Sequence, residues 1–138
     1  MGMPTILVID DDPAIRMMFS RTLKSLGEVE EANGGVEALR LLGAKKYDLI
    51  LLDLHMPVVD GLMVLQMMSN KPGPNNETPI YICTADTSDE VRLRAFRRRG
   101  AVFFLTKPVN LIALQTLASA TLTRQDQRTT QKQKRGGR

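Results

Sequence analysis

ILVIDDDP, residues 6–13, sets four apolar residues directly before three aspartates and a proline. The first half reads as a strand covered on both faces, because no polar residue alternates with the apolar ones. The second half reads as a turn into a helix, with Asp12 as N-cap and Pro13 in the first helical turn, where a missing N–H costs nothing. Together they open a βα unit. Three more apolar runs lie at residues 49–52, 80–83 and 102–105, and a weaker strand candidate at 28–32. Segments of helical period occupy 13–26, 36–45, 61–68, 88–99 and 109–122, with Gly27 and Gly100 placed to end helices. Five such units predict an α/β fold, a doubly wound parallel sheet with helices on both faces. The one long loop, 71–78, holds Pro72, Gly73 and Pro74 and precedes the fourth strand.

The 138 residues suit one domain, and 43% hydrophobic with 25% charged residues are globular proportions. No apolar run is long enough for a membrane span, and MGMPTILVID lacks the basic start of a signal peptide. The lone cysteine, Cys83, excludes an intrachain disulfide and fits a reducing cytoplasm. A net charge of +4 suggests a polyanion partner until it is divided along the chain. Residues 124–138 carry Arg124, Arg128, Lys132, Lys134, Arg135 and Arg138 against Asp126, which leaves 13 basic and 14 acidic residues elsewhere. The positive balance therefore belongs to a polar tail without apolar periodicity. Residues 123–138 are expected to be a disordered tail or linker after a domain at 4–122.

In open parallel sheets the functional crevice lies at the carboxyl ends of the strands. Asp10, Asp11 and Asp12 follow the first strand, Asp53 ends the third, Thr84 the fourth, and Lys107 follows the fifth. If Asp10, Asp11 and Asp53 converge, a pair about 5 Å apart at an effective dielectric of about 20 costs on the order of 3 kcal/mol. A hard cation, magnesium or else manganese, would remove that cost. An aspartate at a strand end can attack phosphorus and become an acyl phosphate, with the cation and Lys107 neutralising the transferring oxygens and Thr84 hydrogen-bonding one of them.

The segments VIDDDPAIR, DLILLDLHMPVVDG, ICTAD and FFLTKP occur in the order and spacing of response-regulator receiver domains, and the chain resembles that family over roughly residues 4–122. The resemblance implies a flavodoxin-like sheet of order 2-1-3-4-5, the order found in flavodoxin and in the chemotaxis regulator. It makes Asp53 the phosphoacceptor, Asp11 the direct metal ligand, Asp10 a ligand through water, and the His55 backbone carbonyl a further ligand. It makes Thr84 the switch hydroxyl, Phe104 the switch aromatic, Lys107 the phosphate-binding lysine and Lys107-Pro108 a cis peptide. His55 and Asp86 fall where family members tune hydrolysis of the acyl phosphate, though both also read as plain loop residues. The implied partners are a sensor histidine kinase or phosphotransfer protein, and an output partner at the face of the fourth helix and fifth strand.

Asp12 is assigned to capping, Cys83 to the buried strand, and the methionines on two helices to adaptable core filling, with Met17 or Met18 partly exposed. Arg92, Arg94, Arg97, Arg98 and Arg99 read as a solvated face or as a docking surface for an acidic partner. An Asp-x-His-x-x-Gly cobalamin signature fails because Val58 stands at its glycine. The Asp-x-Asp-x-Thr pattern of haloacid-dehalogenase-like phosphatases is absent. Direct nucleic-acid binding is not expected, since no recognition motif accompanies the basic tail.

Overall fold

The apolar runs are continuous because each inner strand serves two cores. Ile6, Val8, Leu49, Leu51, Tyr81 and Cys83 pack on one face of the sheet with Phe19, Leu23, Leu114, Ala118 and Leu122. Leu7, Ile9, Ile50, Leu52, Ile80 and Ile82 pack on the other with Ala38, Leu42, Val64 and Leu65. Alternate residues point to opposite faces, so a strand with helices on both sides needs apolar residues at every position.

The computed structural model describes residues 2–85, 88, 90 and 100–136, the side chains of 128–136 excepted. Asp86 and most of the helix expected over 88–99, with its five arginines, lie outside the described residues. The strands are β1 (Thr5–Ile9), β2 (Glu28–Ala32), β3 (Leu49–Asp53), β4 (Ile80–Thr84) and β5 (Val102–Thr106). They form one parallel sheet in the order β2-β1-β3-β4-β5. The described helices are α1 (Pro13–Leu23), α2 (Gly35–Ala44), α3 (Gly61–Asn70) and α4 (Leu111–Gly136). None is long and apolar enough to cross a membrane. The weak pattern of β2, EVEEA, has a positional cause: it is an edge strand, and charge on an edge discourages pairing with another chain. β5 is the other edge, which leaves Phe103 40% exposed.

Local chemistry sets the helix ends. Asp12 Oδ1 accepts from the Ala14 N–H at 2.9 Å and caps α1, and Asp60 Oδ1 accepts from Met63 N–H at 2.8 Å and caps α3. The 71–78 loop is pinned by Asn75, which is only 2% exposed. Its Oδ1 accepts from the Tyr47 N–H at 2.8 Å, and its Nδ2 donates to the Leu42 and Lys45 carbonyls, both at 2.8 Å.

Three expectations are corrected. The tail is helical through Gly136 rather than disordered. Its glutamines, arginines and lysines are straight-chain helix formers, and they extend a helix already nucleated and docked through Leu114, Ala118 and Leu122. Gly27 does not end a helix, since α1 stops at Leu23 and no described glycine has φ in the left-handed region. A Cβ on Gly27 would lie 2.3 Å from the Pro4 carbonyl oxygen, so close backbone approach explains it. Met63 and Met67 are more than 40% exposed on the solvent side of α3 and do not fill the core, whereas Met68 packs against it, and Met17 and Met18 are both exposed where one of them was expected to be.

Candidate functional site

Sheet register brings the acidic residues together. Ile9 lies opposite Leu52 in the β1–β3 pair, so Asp10 and Asp53, each one residue further on, end adjacent strands at the same level. Asp53 lies opposite Cys83, and Thr84 opposite Thr106, which puts Thr84 and Lys107 at the same edge of the sheet. The Lys107 N–H donates to the Thr84 carbonyl at 2.9 Å, extending the β4–β5 ladder one step, and the Lys107-Pro108 peptide is cis as expected.

Asp10 and Asp53 are almost fully buried, at 1% and 5% exposure, while Asp11 is exposed. One carboxylate oxygen from each of the three lies within 4.8 Å of the others. Lys107 Nζ donates to Asp10 Oδ2 at 3.0 Å and lies 3.4 Å from Asp53 Oδ1. Asp53 Oδ1 also accepts from the His55 N–H at 3.2 Å, and Asp10 Oδ1 from the Asp12 N–H at 2.9 Å. Burial and the neighbouring Asp10 charge push the Asp53 carboxyl above its ordinary range, and Lys107 and the His55 N–H offset only part of that. For Lys107, burial disfavours the ammonium, but the Asp10 and Asp53 carboxylates outweigh it and raise its pKa. Three carboxylates against one ammonium leave the crevice about two charges negative, and that oxygen-only donor set suits a hard divalent cation.

Thr84 is buried at the end of β4, and Phe104 is partly buried against the core on the α2–α3 face. His55 is exposed in the loop after β3. Gly61 opens α3 where a Cβ would lie 2.4 Å from the Asp53 carbonyl oxygen, so its missing side chain lets the helix sit against the site. Cys83 is buried beside Asp53 in the sheet, and burial pushes its thiol up to about 12, which removes it as a nucleophile.

Arg16 joins the site with no signal in the sequence. Its Nη1 donates to the Asp10 carbonyl at 2.8 Å, and its Nε donates to Glu31 Oε1 at 2.9 Å. An arginine four residues past the Asp12 cap carries no signal of that contact, because its partner Glu31 stands on another strand.

The response regulator receiver domain family matches residues 6–119. A two-component response regulator of Arabidopsis thaliana, ARR2, is 36% identical over 115 residues, covering 81% of this chain and 17% of that protein. The matched regions amount to between 9% and 51% of the curated relatives' own lengths. The chemotaxis protein CheY4 of Vibrio cholerae superposes with a TM-score of 0.74 at 32% identity, covering 87% of this chain and 99% of that one. The receiver domain of the sensor histidine kinase PA1611 from Pseudomonas aeruginosa, with a magnesium ion coordinated in its active site cleft, gives a TM-score of 0.75 at 25% identity over 88% of this chain and 99% of that one. With the sheet order, the acidic crevice and a family match across most of its length, this chain belongs to the response regulator receiver domain family.

Proposed function

We propose that this chain is a phosphorylation switch in which Asp53 takes a phosphoryl group from a phosphohistidine on a sensor histidine kinase or phosphotransfer protein. The observation that carries it is the Lys107 ammonium set between two buried carboxylates, 3.0 Å from Asp10 and 3.4 Å from Asp53, at the carboxyl ends of the strands. An Asp53 oxygen attacks phosphorus as the donor's N–P bond breaks, leaving an acyl phosphate on Asp53 and returning the electron pair to the histidine ring. Lys107 and the Thr84 hydroxyl stabilise the transferring oxygens. Asp10, Asp11, Asp53 and the His55 backbone carbonyl would hold a magnesium or manganese ion, which supplies positive charge against the phosphoryl oxygens.

In this reading the phosphoryl group draws Thr84 inward, Phe104 turns into the space, and the surface around β5 changes for an output partner. His55, two residues after Asp53, and Asp86, two residues after Thr84 in the sequence and outside the described residues, would tune hydrolysis of the acyl phosphate. The test is intact-mass measurement after incubation with a small phosphodonor and magnesium chloride. Wild type should gain one phosphoryl group, Asp53→Asn none, and Lys107→Met should react about a hundredfold more slowly. Stoichiometric phosphorylation of Asp53→Asn would overturn the assignment.

A further inference from the structure

We propose that Arg16, held by Glu31, is a positioning residue for the cation-binding turn. The proposal rests on the metal-site reading above. It predicts that cation affinity depends on an edge strand outside the crevice.

Asp10 is tied at four points. Its N–H donates to the Ala32 carbonyl at 3.2 Å, its Oδ1 accepts from Asp12, its Oδ2 from Lys107, and its carbonyl from Arg16 at 2.8 Å. The last contact fixes the peptide plane joining Asp10 to Asp11. The Asp11 carboxylate is exposed and accepts no hydrogen bond among the described residues, so its place near Asp10 and Asp53 depends on that backbone. Arg16 is itself braced: its side chain is 18% exposed, and its Nε is held by Glu31 on β2. A planar guanidinium with separate donors can serve the carbonyl and the carboxylate at once, which an ammonium on a flexible stem does less well. Supporting contacts one step removed from a metal commonly alter affinity by tenfold or more.

Two roles for Arg16 have opposite signs. As a mere positive charge near the crevice it repels a dication, and its removal tightens binding. As a clip on the Asp10–Asp11 peptide it favours binding, and its removal weakens it.

The experiment titrates magnesium chloride into the full chain and follows amide chemical shifts, with metal-free melting measured alongside. Arg16→Met should raise the magnesium Kd about tenfold. Glu31→Gln, at a 44% exposed carboxylate, should raise it about two- to threefold. The double variant should be no worse than Arg16→Met alone, because the pair acts as one unit. A Kd for Arg16→Met at or below wild type overturns the proposal, even if its metal-free Tm falls, since a purely structural ion pair would act on Tm alone. Should Arg16→Met fail to fold, Glu31→Gln decides: an unchanged Kd overturns the proposal. Asp11→Asn separates the two readings. If it leaves wild-type magnesium binding intact, the metal site itself is misassigned; if it abolishes binding while Arg16→Met does not weaken it, only the clip fails.

Discussion

Val58 is the one described non-glycine residue with positive φ, at 66°. The Val59 N–H donates to the Pro57 carbonyl at 2.8 Å, so Val58 sits at the centre of a three-residue turn of the rare, strained kind. A β-branched side chain there crowds its own backbone, and at 89% exposure it recovers little by packing. The strain is of order 1–3 kcal/mol, against about 0.5–1 kcal/mol for the extra freedom glycine gains on unfolding. Val58→Gly should therefore raise Tm by about 3 °C. A fall in Tm would mean that the loop keeps its shape without strain. Single residues were legible in the sequence where their chemistry is unusual for their place: a run of aspartates after a strand, a lysine before proline. Val58 and Arg16 were not, because a valine in a loop and an arginine on a helix look ordinary until φ and distances are known.

Elements were legible where one periodicity ran without interference. The four apolar strands and the helix starts at Pro13 and Gly61 fall within a residue or two of expectation. The C-terminal helix was cut short because apolar periodicity marks burial rather than helicity, and residues 123–127 keep the helix while burying little. The loop before β4 held a second surprise, since its prolines and glycine gave no hint that Asn75 fastens the end of α2 and the connection leading into β3. Asn75→Ala removes the acceptor of the Tyr47 N–H and the donors to Leu42 and Lys45, leaving buried groups unpaired. That should cost about 2–4 kcal/mol. The urea midpoint should drop with the m-value unchanged. A change under about 0.5 kcal/mol would indicate that water replaces the amide.

At the scale of the molecule, the fold presses like charges together, and stability should report it. Asp53 titrates above its ordinary value of 3.8 in the folded chain because burial and Asp10 disfavour its charge. Between 3.8 and that raised value the folded state binds more protons than the unfolded one, so stability falls as pH rises through the window. At neutral pH the ionised carboxylate therefore weighs against the metal-free fold, and Asp53→Asn should melt higher than wild type without magnesium. The advantage should shrink as pH falls through that window and the wild-type carboxyl takes up its proton, and magnesium at about 100 times its Kd should stabilise wild type by about 2.7 kcal/mol. A lower metal-free Tm for Asp53→Asn at neutral pH would count against net repulsion in the crevice. Covalent order alone sets the βα alternation and which residue types stand at the strand ends. That Lys107 meets Asp10 across 97 positions, and that Arg16 reaches both Asp10 and Glu31, follows from the packed fold. Those distances are set by strand register and helix packing, which depend on the whole core at once rather than on any local run of residues.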